Sequence, residues 1–139
     1  MFKHILIPVD LSGRNAAALR TALELAQVTH ARVTLLHVVA RIENIPFGEL
    51  RSFYQRLVRM AEGKLAKAAK PFTQHGVFVT TDAYVGEPAA EIVKVAAKRK
   101  ADLIVMNSHR VDPSRRTRGW GTMSYKVGLL CQCPILLVK

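Results

Sequence analysis

Hydrophobic and polar positions follow two different patterns that take turns along the chain. Compact apolar runs predict strands at residues 3–9, 32–40, 102–106 and 134–138, and a more polar alternation predicts a sheet-edge strand at 77–84. Apolar residues at helical spacing predict helices at 14–29, at 47–74, from Pro88 onward and from about Thr122 onward. The alternation of strands with helices predicts an α/β fold in which helices cover both faces of a parallel sheet.

Local signals predict the helix ends and the sides that the helices bury. Ser12 is a candidate N-cap for the first helix, and Gly76 stands where a glycine is expected after the second. The buried stripe predicted for the second helix consists of Leu50, Phe53, Leu57, Met60, Ala61, Leu65 and Ala68. The inward side predicted for the last helix consists of Met123, Val127 and Leu130.

Size and composition indicate one folded domain spanning residues 1–139. Half of the 139 residues are hydrophobic and 22% are charged, which is an ordinary globular balance. The formal net charge of +11 favours anionic ligands, including nucleotides, nucleic acids and acidic membranes, without choosing among them. No apolar run approaches the roughly 20 residues that span a bilayer. The amino-terminal segment lacks the features of a signal peptide, so we expect a cytoplasmic protein.

The only cysteines, Cys131 and Cys133, do not form a disulfide framework. A zinc site would need further ligands at suitable spacing, and the sequence has no second cysteine pair. We therefore expect two half-buried structural thiols and no metal site.

A ligand is expected beyond the carboxyl ends of the strands, where the strand order of an open α/β sheet reverses. If the first strand is central and the fourth lies beside it, segments 8–12 and 106–110 line that crevice. The chain has neither G-x-G-x-x-G after the first strand nor a P-loop. Gly121 and Thr122 instead open the last helix, where free backbone N–H groups favour a phosphate.

Four segments resemble universal stress proteins. They are I-L-I-P-V-D-L-S at 5–12, L-L-H-V-V at 35–39, G-E-P-A-A-E-I-V at 86–93 together with A-D-L-I-V-M at 101–106, and C-P-I-L-L-V at 133–138. The resemblance implies an adenine nucleotide alpha hydrolase-like fold. This is an open, doubly wound, five-stranded parallel sheet with strand order 3-2-1-4-5.

The resemblance also implies an adenine-nucleotide site. Members of the family that bind ATP carry G-x2-G-x9-G-[ST] after the fourth strand. Here Asn107 and Arg110 replace the first two glycines, and ten residues instead of nine precede Gly121 and Thr122. The resemblance implies an adenine near Asp10 and Val38. The candidate nucleotide-binding residues are Pro8, Val9, Asp10, Val38, Met106, Asn107, His109, Arg110, Gly121, Thr122 and Met123.

The sequence thus predicts a stress-response module that binds ATP or another adenine nucleotide, with a divalent ion such as Mg²⁺. The alternative is a dimeric interaction module that binds no nucleotide. No catalytic residue is assigned, and slow ATP hydrolysis is the furthest enzymatic role that we consider. We expect a homodimer joined through the apolar strand at 134–138. Nucleic-acid binding is disfavoured because Trp120 is the one aromatic near the arginines at 110–118.

Overall fold

The computed structural model describes residues 1–108 and 122–139 and contains a five-stranded parallel sheet. The strands are β1 (His4–Pro8), β2 (Arg32–Ala40), β3 (Val79–Gly86), β4 (Leu103–Asn107) and β5 (Ile135–Val138). The helices are α1 (Ala16–Thr29), α2 (Arg51–Gln74), α3 (Pro88–Lys98) and α4 (Thr122–Leu130), with a 3₁₀ turn at Phe47–Leu50. The strand order β3-β2-β1-β4-β5 confirms the predicted fold.

The central strand β1 pairs with β2 on one side and with β4 on the other. Its side chains alternate between two apolar layers, because successive residues of a strand point to opposite faces. Ile5 and Ile7 pack with α1 and α2, whereas Leu6 packs with α3 and α4. All three residues are fully buried. Burial on both faces explains why the run was continuously apolar rather than alternating.

The buried stripe of α2 differs from the predicted one. The structure buries Tyr54, Ala61, Leu65 and Phe72, whereas Phe53 and Met60 are exposed. Ala61 and Leu65 confirm part of the predicted stripe, whereas Phe53 and Met60 each lie one residue, or about 100° around the helix axis, before a buried residue. The Tyr54 hydroxyl accepts a hydrogen bond from the backbone N–H of Ile42 at 2.8 Å, so its burial leaves its oxygen paired.

Two predicted helix ends and one predicted buried side can be compared with the structure. Ser12 is not the N-cap of α1, because the helix begins at Ala16 and Asn15 occupies the cap position. Gly76 follows α2 with a φ of 75°, which is a left-handed conformation suited to glycine. Of the predicted inward residues of α4, Val127 is buried, whereas Met123 and Leu130 are exposed, so the predicted inward side was too wide.

The carboxyl-terminal cysteines are both half-buried and reduced. The Sγ atoms of Cys131 and Cys133 lie 3.2 Å apart. Burial and the neighbouring Cys131 thiol raise the pKa of Cys133 to about 12, so this group stays a thiol at neutral pH.

Within the described ranges, no helix combines the length and the apolar character that crossing a membrane requires.

The revised face of α2 can be tested with two phenylalanine substitutions. Phe72→Ala should lower the free energy of unfolding by about 3–5 kcal/mol, because it opens a cavity at a side chain that is 1% exposed. Phe53→Ala, at a side chain that is 37% exposed, should cost about 1 kcal/mol or less. Urea unfolding followed by circular dichroism measures both. A larger loss for Phe53→Ala would restore the stripe predicted from sequence.

Candidate functional site

A crevice of about 400 Å³ opens at the carboxyl ends of the central strands. The connection after β1 leads through α1 to β2, while the connection after β3 leads through α3 to β4 on the other side of β1. The strand order therefore reverses at this point, as it does at ligand sites of open α/β sheets. The crevice is lined by Pro8, Val9, Asp10, Asn15, Leu36, His37, Val38, Pro88, Ile92, Met106, Asn107, Met123 and Ser124.

The structure brings together most of the candidate residues that it describes. Those lining the crevice are Pro8, Val9, Asp10, Val38, Met106, Asn107 and Met123. Thr122 is the first residue of α4, next to the lining residue Met123. His109, Arg110 and Gly121 fall outside the described residues.

Asp10 is held in a tight turn between β1 and α1. Its Oδ1 atom accepts hydrogen bonds from the backbone N–H of Ser12 at 2.9 Å and from the Ser12 hydroxyl. Asn15 Nδ2 donates a third hydrogen bond to the same atom at 3.1 Å. Within the described residues, no group donates to Oδ2, so this oxygen is available to a ligand. The turn therefore fixes the carboxylate while leaving one acceptor unused.

These donors also set the charge state of Asp10. Partial burial raises the pKa of this carboxyl. The hydrogen bonds from Ser12 and Asn15 and the nearby charge of Arg14 lower the pKa, and together they outweigh the effect of burial. The net result is a pKa below the ordinary value of 3.8. Asp10 is consequently an anion throughout the physiological range and acts as a hydrogen-bond acceptor there.

His37 makes a structural contact at the crevice wall. Its Nδ1 atom lies 2.7 Å from the carbonyl oxygen of Val9. Because a carbonyl only accepts, Nδ1 carries the hydrogen, and the bond ties the end of β2 to the turn after β1. The Val9 N–H donates to the Leu36 carbonyl at 2.8 Å across the same junction. These bonds keep the β1 and β2 walls of the crevice in register.

Sequence analysis missed part of the lining. Asn15, Leu36, His37, Pro88, Ile92 and Ser124 line the crevice but were not candidate site residues. Asn15 was hidden because its role depends on reaching back to Asp10, which no spacing rule specifies. Pro88 and Ile92 come from α3, and their position follows once the crossover places that helix over the crevice. The proline at the start of α3 was a usable signal.

The first turn of α3 is satisfied within the protein. The Glu87 carboxylate accepts from the N–H groups of Ala89 and Ala90, at 3.3 and 2.7 Å. The Glu87 carboxylate therefore occupies these two N–H groups, so they are not available to a ligand phosphate. Gly86, just before it, has no room for a side chain, since an added Cβ would lie 2.7 Å from Glu91 Cγ.

The crevice combines apolar walls with a few polar groups. Val38, Ile92 and Met106 supply flat apolar contact, and Asp10 and Asn107 supply polar atoms beside it. This composition and the volume are typical of sites for small organic ligands. Within the described ranges, no group of three or more His, Cys, Asp or Glu side chains could hold a metal ion.

The structure thus combines a small α/β fold with a crevice at the switch point of a 3-2-1-4-5 sheet. A model of the universal stress protein family matches residues 1–139. The chain belongs to the universal stress protein family.

Individual relatives agree with this assignment. The chain is 32% identical to the universal stress protein MJ0531 of Methanocaldococcus jannaschii, over all of this chain and 83% of the relative. Its fold is similar to that of the solved protein MJ0577 of the same organism, with a TM-score of 0.83, 29% identity, and coverage of 100% and 96% of the two chains.

Two further solved relatives contain nucleotides. An Archaeoglobus fulgidus universal stress protein in complex with dAMP has a TM-score of 0.70 and 21% identity, over 99% of this chain and 98% of that one. A universal stress protein in complex with cAMP has a TM-score of 0.71 and 17% identity, over 99% and 97% of the two chains. At these identities the likeness concerns the fold.

The Asp10 turn can be tested through Asn15. Asn15→Ala should raise the pKa of Asp10 toward 3.8, because one hydrogen bond to the carboxylate is lost. A carboxyl whose pKa is lower in the folded than in the unfolded protein stabilises the fold at pH values above its unfolded-state pKa. This stabilisation is lost as the pH falls through its folded-state pKa. The variant should therefore lose less stability on acidification. Carboxyl ¹³C NMR titration measures the change.

Asp102 provides an internal control for this titration. Its pKa is also lowered, mainly by backbone hydrogen bonds from His4 and Lys3 that outweigh its desolvation. Asn15→Ala should leave it unchanged. An Asp10 pKa that does not move in the variant would contradict the role assigned to Asn15.

Proposed function

We propose that this universal stress protein binds an adenine nucleotide, ATP being the first choice, in the crevice at the carboxyl ends of β1, β2 and β4. The observation that carries the proposal is the placement of Asp10 and of the apolar walls at one switch point. The relatives that hold dAMP and cAMP support the same ligand class.

The lining fits a nucleoside. Val38, Ile92 and Met106 offer apolar surface to a flat base, and the fixed Asp10 carboxylate would accept hydrogen bonds from a donor such as a ribose hydroxyl. The volume of about 400 Å³ is within the usual range for such ligands. The base end of the ligand thus has a place formed entirely by described residues.

The phosphates would extend toward the start of α4. Met123 and Ser124, in the first turn of that helix, line the crevice. A helix N-terminus with a neighbouring glycine favours phosphate oxygens through its free N–H groups and its dipole. Gly121 and Thr122 would hold the phosphates, with His109 and Arg110 nearby. A divalent ion such as Mg²⁺ would then be bound mainly by phosphate oxygens and water.

The function that follows is regulation by occupancy. A bound nucleotide would join the ends of β1 and β4 to α4, and partner proteins would sense the surface that results. We assign no catalytic residue and keep the cytoplasmic setting as a prediction.

The proposal can be tested by filling the wall that would contact the base. Val38→Trp should reduce ATP affinity by about 100-fold or more, because the indole occupies the space of the adenine. Val28→Trp places the same side chain at an 80% exposed position on α1 and should bind normally. Isothermal titration calorimetry measures affinity, and mass spectrometry of denatured protein detects nucleotide that co-purifies.

The folded state of Val38→Trp is checked by its circular dichroism spectrum and unfolding midpoint. Normal ATP affinity in this folded variant would reject the crevice as the adenine site. Wild-type protein that neither carries nor binds any adenine nucleotide would favour the alternative of an interaction module without a nucleotide.

We further propose that two copies pair through β5. Among the described strands, β5 lies at one edge of the sheet and has β4 as its single neighbour. Leu136 and Leu137 are 38% and 41% exposed, so the edge is also apolar. An open apolar edge invites pairing with another chain, and a two-fold axis would make the contact self-complementary.

The dimer can be tested with a lysine at the proposed interface. The wild-type protein at micromolar concentration should scatter light as twice the 15.4 kDa chain. Leu136→Lys should shift the mass to one chain, because the interface would bury an unpaired charge. Met60→Lys, at an exposed site on α2, is the matched control and should remain dimeric. A monomeric wild-type protein would reject the proposal.

A further inference from the structure

A second hollow lies at the amino ends of the strands, at the opposite end of the sheet from the crevice. Its volume is about 380 Å³. Arg32 at the start of β2 and Phe78 before β3 form one side, and Lys98, Arg99 and Lys100 at the end of α3 form the other. Four cationic residues therefore line one small recess, and none of its lining residues is shared with the crevice.

The nearby carboxylates are already engaged. Asp82 pairs with Arg99 at 2.6 Å. Asp102 accepts the backbone N–H groups of Lys3 and His4, at 2.8 and 3.0 Å. Within the described residues, Arg32, Lys98 and Lys100 form no salt bridge. Among the described residues, the cations Arg32, Lys98 and Lys100 therefore bring positive charge to the recess that no salt bridge offsets.

Below the cations lies a buried chain of hydrogen bonds with a defined direction. His4 Nδ1 lies 2.8 Å from the Arg99 carbonyl oxygen, so Nδ1 carries a hydrogen. In the neutral ring Nε2 then accepts from the Thr34 hydroxyl at 2.7 Å. Thr34 has given its hydrogen to His4, so it accepts from the Thr80 hydroxyl at 3.0 Å. Thr80 lines the recess and ends this chain.

We propose that this hollow, with Arg32, Lys98 and Lys100 at its rim and Thr80 at its floor, is a binding site for a phosphate-bearing small ligand. Arginine and lysine side chains bind phosphate oxygens through charge-assisted hydrogen bonds. The Phe78 ring is 68% exposed beside them and offers an apolar surface to an organic part of the ligand. The site is separate from the crevice and does not depend on what the crevice binds.

The buried histidine couples this site to protons. The pKa of His4 is lowered by burial and by the charges of Arg32 and Arg99. The hydrogen bond to the Arg99 carbonyl and the charge of Asp102 raise the pKa, but the net shift is downward. A bound anion would offset the charges of Arg32 and Arg99 and favour protonated His4. Protonation reverses the chain, so that Nε2 donates to Thr34, Thr34 donates to Thr80, and Thr80 can donate to the ligand. Binding should therefore strengthen as the pH falls below about 6.5.

The site can be tested with inorganic tripolyphosphate as the probe, at pH 7.5. Calorimetry with Arg32→Gln/Lys98→Gln should show at least about a tenfold weaker affinity than wild type, because two charge-assisted contacts are lost. Lys64→Gln/Lys67→Gln removes the same charge from exposed positions on α2 and should change the affinity less than about twofold. Equal losses in both variants, or no saturable binding to wild type, would overturn the proposal.

NMR locates the probe. The His4 ring signal, identified by its absence in His4→Gln, should shift on titration, and an unmoved signal would contradict the assignment. Sulfate keeps its charge between pH 7.5 and 5.5, and it should bind several-fold more tightly at the lower pH to wild type but not to His4→Gln. If sulfate binding to His4→Gln shows the same pH dependence, His4 is not the group that couples binding to protonation.

The source of the phosphate is decided in the Val38→Trp background. If this variant binds ATP more tightly than tripolyphosphate, and Phe78→Ser weakens the ATP binding, the ligand is a phosphate with an organic part. Equal affinities identify a free phosphate anion, and both results support the site. A protein that binds a single-stranded oligonucleotide but not tripolyphosphate would overturn the proposal of a small-ligand site.

Discussion

The burial of β1 on both faces is the constraint on which the rest of the structure depends. Three consecutive fully buried residues, Ile5, Leu6 and Ile7, require a helical layer on each side of the sheet. Parallel neighbours then require crossovers, which bring the carboxyl ends of all strands to one edge. The polar His4 is buried at the amino end of β1, and beyond the carboxyl end of the strand polar side chains follow Val9. Asp10 is therefore at the crevice because it is the first strongly polar residue after the central strand.

The alternation of strands and helices follows from the hydrophobic pattern, because each predicted connection is long enough for a helix, whereas the strand order was implied by the resemblance to universal stress proteins. The side that a helix buries is less well specified. On α2, Phe53 and Tyr54 both lie at helical spacing from the buried Ala61, and tertiary packing decides that Tyr54 is the buried one. Side chains that reach back along the chain, such as Asn15 to Asp10, are also invisible to spacing. The same holds for the hollow, whose members come from four separate segments.

Charge is distributed in a way that suits two anionic ligands at opposite ends of one sheet. The crevice has apolar walls and an anchored carboxylate, which favours a nucleoside over a bare anion. The hollow has uncompensated cations above a polar floor, which favours the anion itself. The large positive net charge of the chain is thus concentrated in part where the fold provides a recess.

Helix α3 touches both recesses. Pro88 at its beginning lines the crevice, and Lys98 at its end lines the hollow. Its 11 residues span about 16 Å, which is roughly twice the screening length at physiological ionic strength. The electrostatic interaction between ligand charges at the two ends of α3 would therefore be weak. The two recesses would consequently fill independently of each other.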